Sequence, residues 1–449
     1  MSYSTQRFDS SKYFDEALAF LKEYMWIYNS PNTDILSRNV LDQIPHEWIV
    51  YFQKLSFSDL KDLSLGKKKD DCPHSLVGFL DKIELLSTPR KRRYSESKQN
   101  ELPKKGGLSF KKQHEVISFA PLIADICDRV GTNQVIDIGA GLGYLSYLLA
   151  EDHKCSVLAI EGCPQKMESA LKYQLKYHKY SRERVTFYNH FITENSVNEI
   201  NKSLNNTFSK EEAICMCGLH ACADLSVTIL DLFLEMDQVK SLVIMPCCYH
   251  RLGLRETVDE REYFKGFPIS EALKYYFEKY DASNFLKRPF LRLACQTTST
   301  TFQEMSDSQH EEHAKNFLMR GILQKAADEV GCNVSRLKRK SGKSLNESDF
   351  SFYLKNFCNN YKLIPKSSDA KGDLDVERRI IEIWESNQDK LILMEALTAL
   401  QTSLQSVCEN ILLQDKVQYL IENGVNCYIE KVTDDNISPR CHALIAIKN

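Results

Sequence analysis

The chain has 449 residues, too many for one ordinary domain, which points to two domains or to one with large additions. Hydrophobic residues make up 43% and charged residues 27%, a globular composition that excludes a wholly disordered or collagen-like chain. Against 61 Asp plus Glu stand 58 Lys plus Arg, so the net charge of -3 exerts no global pull toward nucleic acid or membrane, and any basic binding surface is local.

The first residues, M-S-Y-S-T-Q-R-F-D-S-S-K, hold no apolar core of a secretory signal. No stretch approaches the roughly 20 apolar residues of a membrane-spanning helix. The nearest, Ala396 to Cys408, is full of Thr, Gln and Ser and reads as a helix packed in protein. Fifteen cysteines, an odd number without an export signal, imply reduced thiols and a cytosolic or nuclear setting.

Residues 1–86 read as a helical region. Phe14, Leu18, Leu21 and Met25 share one face, and Trp48, Phe52 and Leu55 repeat the spacing. Residues 87–107 are rich in Pro, Ser, Gly and charge and form a linker. Its run Arg90, Lys91, Arg92, Arg93 is a nuclear import signal, a phosphate-contacting arm or merely a solvated basic stretch. Residues 108–250 alternate helix and strand. A helix is expected over Glu115–Val130, with Val116, Phe119, Ile123 and Ile126 on one face. Strands are expected over Gln134–Gly139, Ser156–Gly162, Val185–Phe191, Ala213–Gly218 and Ser241–Pro246. This alternation predicts an α/β fold with a parallel, Rossmann-like sheet covered on both faces.

After Tyr249 the strand rhythm is lost. Residues 251–400 read as a mainly helical insertion, with helices over Ile269–Tyr280, Glu312–Val330 and Asp375–Leu400 and a second basic cluster at Arg336–Lys343. Residues 401–449 read as a helix followed by a β-hairpin, Cys427–Val432 and His442–Ile447, that completes the core sheet.

The strongest motif is V-I-D-I-G-A-G-L-G-Y, Val135 to Tyr144. Gly139, Gly141 and Gly143 let the backbone turn tightly between strand and helix and approach a ligand. A dinucleotide loop, G-x-G-x-x-G/A, would need a small residue where Tyr144 stands. The spacing G-x-G-x-G, preceded by Asp137, is instead that of class I S-adenosylmethionine-dependent methyltransferases. Asp137 is the candidate partner of the cofactor's ammonium group. Glu161, ending the second strand 24 residues later, is the candidate acceptor for both ribose hydroxyls. Asn189 and His190, toward the end of the third strand, stand near the adenine position, where such enzymes often carry an acid.

Two further segments end the fourth and fifth strands: C-M-C-G-L-H-A-C-A-D-L-S, Cys215 to Ser226, and M-P-C-C-Y-H, Met245 to His250. In a parallel sheet both open on the side of the glycine loop. With K-K-Q-H-E-V (Lys111–Val116) and the glycine loop, these blocks resemble the methyltransferase-like protein 25 family, which includes proteins named for a ribosomal RNA adenine dimethylase domain. The resemblance implies an S-adenosylmethionine-binding domain and leaves the substrate open. Ala223 stands where glycine is expected in that family.

Adenine dimethylation is not predicted, because the D/N-P-P-Y/F signature of exocyclic amine methylation is replaced by C-G-L-H-A-C. His220 is a candidate general base and Asp224 its candidate orienting group. Tyr249 is a candidate stacking surface for a flat substrate, and Cys247 or Cys248 a candidate nucleophile. His220, Cys222, Cys247, Cys248 and His250 carry groups that zinc accepts, but C-C-Y-H lacks the usual C-x-x-C spacing. Buried cysteines also serve as small apolar residues, so no metal site is assigned. The expected function is methyl transfer from S-adenosylmethionine, with RNA as acceptor through the two basic clusters. A protein acceptor and a non-catalytic cofactor-binding scaffold are the alternatives.

Overall fold

A computed structural model describes residues 9–87, 108–208, 212–296, 299–337, 360–366, 376–434 and 436–448. Arg90–Arg93 lie outside the described residues, as does the second basic cluster beyond Arg336 and Leu337. The chain divides into two compact units. One comprises residues 1–23, 82–301 and 404–449, and the other residues 24–81 and 302–403. These units do not coincide with the expected segments 1–86 and 251–400, each of which contributes to both.

The first unit is built on a seven-stranded sheet. Its strands are β1 (Gln134–Ile138), β2 (Ser156–Glu161), β3 (Val185–Asn189), β4 (Ile214–Cys222), β5 (Val239–Cys247), β10 (Asn426–Lys431) and β11 (His442–Ile447), in the order β10-β11-β5-β4-β1-β2-β3. The pairs from β3 to β5 are parallel, whereas β11 runs antiparallel to β5 and to β10. This is the Rossmann-like methyltransferase order, closed by the C-terminal hairpin.

The inner strands β1, β2, β4, β5 and β11 are mainly apolar because both faces are covered, whereas the edge strands β3 and β10 carry exposed residues. One face carries the helix Phe110–Val130, whose Val116, Phe119, Ile123 and Ile126 are buried with Val135, Val157 and Val243. The other carries Val197–Thr207 and Leu225–Glu235, whose Ile200, Ile229 and Phe233 are buried with Ile136, Leu158 and Ile244. Order reverses between β1 and β4, so the crevice for a ligand lies over the carboxyl ends of those two strands.

Four short strands interrupt the region expected to be helical. β6 (Leu254–Val258) pairs with β7 (Arg261–Phe264), and β8 (Cys332–Arg336) with β9 (Tyr361–Pro365). Every residue of β6 is exposed, so no buried face imposes an alternating pattern. The β6–β7 turn puts Asp259 and Glu260 at φ 48 and 63, left-handed positions that a sequence usually announces with Asn-Gly or Asp-Gly.

Other boundaries also move. Met25 lies beyond the helix Ser10–Glu23 and is 39% exposed, so it does not share the buried face of Phe14, Leu18 and Leu21. The expected helix Asp375–Leu400 is two, Val376–Glu385 and Leu391–Glu422, because Asn387 Nδ2 donates to the Ile383 carbonyl at 2.7 Å and closes the first. By length and composition Gln388–Glu422 is long and apolar enough to cross a bilayer, contrary to the expectation from sequence, but 67% of its most apolar window is buried inside the protein.

Candidate active site

The glycine loop follows β1 with all three glycines at positive φ: 75° at Gly139, 60° at Gly141 and 80° at Gly143. They do different things. A Cβ on Gly143 would come within 2.6 Å of Phe187 Cζ, so this glycine permits packing of the loop on β3. A Cβ on Gly141 would meet nothing within 4 Å, so the middle of the loop borders open space.

Glu161, at the end of β2, faces this loop. Its Oε2 accepts from Gly141 N and its Oε1 from Cys163 N, each at 2.9 Å. A carboxylate has about four lone-pair sites, so two backbone donors orient it and leave capacity for a diol. The Glu161 carbonyl accepts from Asn189 Nδ2 at 2.7 Å and from His190 N at 3.2 Å, which ties β3 to the same spot. His190 Nε2 lies 2.8 Å from Ser196 Oγ.

The next residue, Phe191, was not singled out from sequence as a ligand contact. It is 74% exposed and packs 3.0 Å from the position a Cβ would take on Gly162. A flat ring beside Glu161 suits a purine face, and the missing acid after β3 was the signal to look there. Open space over Gly141, a pre-oriented diol acceptor and an exposed ring together fit S-adenosylmethionine.

Asp137 lies deeper. It is buried, and its Oδ2 accepts from Ser146 Oγ at 2.6 Å. Burial pushes its carboxyl from the ordinary 3.8 up to about 6, opposed by the Ser146 hydrogen bond and aided by the negative charge of Glu161. The native state therefore keeps a proton that the unfolded chain loses between those values. The resulting stabilisation is complete below about 3.8 and is lost as pH rises through about 6. Asp137→Asn keeps an acceptor for Ser146 and removes the ionisation cost. It is expected to stabilise the ligand-free protein by about 3 kcal/mol near pH 8 and by little near pH 4. Urea melts at the two pH values check this, and equal shifts at both would contradict it.

His220 emerges from a buried strand through a bulge. Gly218 pairs with Ile244 and Ala221 with Pro246, so β4 has one more residue than β5 across this interval. A bulge re-aims side chains, and the His220 side chain is 40% exposed between buried Leu219 and Ala221. Pro246 is accommodated because the β5–β11 pairing stops at Ile244, beyond which β5 needs no donor on that side.

The partner of His220 is Glu115, which lies 3.2 Å from Nε2 and is itself buried. Burial pushes the Glu115 carboxyl up, but hydrogen bonds with His220 and Ser438 outweigh it and hold the group below its ordinary value. Ser438 Oγ donates to Glu115 Oε1 at 2.5 Å, and Asp434 N donates to His114 Nε2 at 3.0 Å. Lys112 Nζ lies 5.1 Å from the Tyr144 ring, so the block Lys111–Val116 also borders the helix that follows the glycine loop.

Several expected roles are corrected by these contacts. Asp224 does not orient His220. Ala223, at φ 51, turns the chain, and Asp224 Oδ2 accepts from Gly253 N at 2.8 Å. That φ also explains why glycine suits position 223. Tyr249 is 1% exposed, donates to the Pro246 carbonyl at 3.4 Å and lies under Lys416 Nζ at 5.7 Å, so it is a core residue without a free face for substrate.

Neither candidate nucleophile, Cys247 or Cys248, is an activated thiol. Cys247 is buried and its thiol is pushed far up by its hydrogen bond with Cys222 and by burial. Burial likewise raises Cys248. The Cys222 thiol is drawn below its ordinary value, chiefly by the hydrogen bond with Cys247. Neither histidine joins the thiols: His220 is with Glu115, and His250 Nδ1 lies 3.0 Å from Cys295 Sγ.

Residues 111–255 match a family model described as a methyltransferase domain. Curated relatives include a probable methyltransferase-like protein 25 of Mus musculus, 26% identical over 247 residues, covering 53% of this chain and 38% of the relative. That of Homo sapiens is 26% identical over 246 residues, covering 53% and 37%. The chain thus spans well under half the length of these relatives. Among solved structures, coclaurine N-methyltransferase bound to N-methylheliamine and SAH aligns over 96% of this chain and 98% of its own, at 11% identity and a TM-score of 0.23, too low to support any further comparison. Residues 111–255 thus match a methyltransferase domain whose sheet is completed by β10 and β11, and S-adenosylmethionine is the cofactor such a domain takes.

Proposed function

We propose that the chain methylates RNA at an atom that gives up a proton on transfer. The observation that carries the catalytic reading is the pairing of a partly exposed His220 with a buried Glu115, at the end of the sheet that also holds the glycine loop and Glu161. S-adenosylmethionine supplies an electrophilic methyl group. Glu161 holds the nucleoside over the open backbone at Gly141, Phe191 covers its base, and Glu115 fixes the His220 ring so that its other nitrogen, Nδ1, can take the acceptor's proton. RNA is supported by the basic runs Arg90–Arg93 and Arg336–Lys343, which offer phosphate contacts in an otherwise acidic chain. The fifteen cysteines suit a reducing cytosol or nucleus.

Incubating the protein with tritiated S-adenosylmethionine and lysate lacking it, then splitting the product by nuclease or protease, tests the acceptor. Label released by nuclease is expected. Label that survives nuclease and yields to protease would replace RNA with protein, and no label in either fraction would leave only a cofactor-binding scaffold.

A further inference from the structure

The sulfur groups at the ends of β4 and β5 form a second constellation that methyl transfer does not use. Cys222 and Cys247 are the last residues of adjacent parallel strands and are register partners. Their Sγ atoms are 3.0 Å apart. Cys248 completes the group, with all three sulfurs within 4.8 Å of one another. The third thiol is brought in by backbone that holds Cys248 at φ 52, a left-handed conformation that a side chain adopts at a cost. Arg251 N donates to the Cys248 carbonyl at 2.8 Å and Ala223 N to the Cys247 carbonyl at 3.0 Å, which fixes both loops.

We propose that Cys222, Cys247 and Cys248 bind a zinc ion. Zinc–thiolate bonds of about 2.3 Å in tetrahedral geometry place sulfurs about 3.8 Å apart. The Cys222–Cys247 pair reaches that spacing if its side chains separate by about 0.8 Å, a movement within rotamer adjustment, and the separations to Cys248 already lie within 4.8 Å. Three convergent thiols favour an ion over a disulfide, which would use two and leave the strained third without a role.

The surrounding charge agrees. Three thiolates and a divalent ion sum to one negative charge. The Arg440 guanidinium lies close enough to act on both Cys247 and Cys248, and its buried NH1 has no hydrogen-bond partner among the described residues. Cys247 is buried, whereas Cys222 and Cys248 are partly exposed. The ion would therefore have three protein ligands and a fourth position open toward solvent, the coordination of reactive rather than purely structural zinc.

The test is the metal content of the full chain purified in reductant without chelator. About one zinc per chain is expected, and Cys222→Ser and Cys248→Ser should each lower retention after dialysis about tenfold or more. Both positions are partly exposed, so both variants should fold, and unchanged S-adenosylmethionine binding confirms that they do. Cobalt(II) added to metal-stripped protein should give the charge-transfer and visible bands of a tetrahedral thiolate site. Absence of zinc even after incubation with zinc chloride, full retention in both variants, or a Cys222–Cys247 disulfide trapped by alkylation before unfolding would each overturn the proposal.

Discussion

Replacing Glu161 by alanine is expected to raise the dissociation constant for S-adenosylmethionine by 100-fold or more. The carboxylate is already oriented by Gly141 N and Cys163 N, so little ordering remains to be done on binding. Two hydrogen bonds from a ribose diol to a charged acceptor contribute about 1.5–3 kcal/mol each, which together correspond to roughly 10²- to 10⁴-fold in affinity. Glu161→Gln keeps one acceptor oxygen and should fall between wild type and alanine. Titration calorimetry checks the series. A melting temperature within a few degrees of wild type would show that the loop, not the fold, has been damaged. Alanine binding within threefold of wild type would contradict the assignment of Glu161 to the sugar.

The second large effect belongs to His220. Removing a positioned general base costs about 10²- to 10⁴-fold in turnover, so His220→Ala should lose methyl transfer on that scale while its affinity for S-adenosylmethionine stays within twofold. Glu115→Gln removes the charge that fixes the ring and leaves Ser438 a hydrogen-bond partner. Its turnover should fall about tenfold or more, again without loss of cofactor affinity. Single-turnover label transfer with saturating cofactor separates the two quantities. Equal losses of affinity and turnover in either variant would make the pair a support for the cofactor pocket instead of a proton acceptor.

The cofactor half of the site was readable from sequence because it is local. Gly139, Gly141, Gly143 and Glu161 sit at the ends of consecutive strands, and their spacing is set by one strand–helix–strand unit. The acceptor half was not. Glu115 precedes His220 by more than a hundred residues, and Ser438 follows it by more than two hundred, so their meeting depends on sheet order and helix placement. The sequence neighbour Asp224 looked like the partner because proximity in the chain stood in for proximity in space; a left-handed residue at Ala223 sends it elsewhere. The bulge that exposes His220 and the register that joins Cys222 to Cys247 leave no periodic trace. Tyr249 looked like a surface ring because its neighbours are polar and sulfur-bearing, but the chain turns it into the core. The inner strands of the seven-stranded sheet were legible because strands buried on both faces must be written in apolar residues.

The most direct test of the cofactor site is a crystal structure with S-adenosylhomocysteine. The ribose hydroxyls should lie on the Glu161 carboxylate, with the nucleoside over Gly141 and its base against Phe191. A ligand bound elsewhere, or Glu161 turned away from the sugar, would contradict the assignment of this crevice.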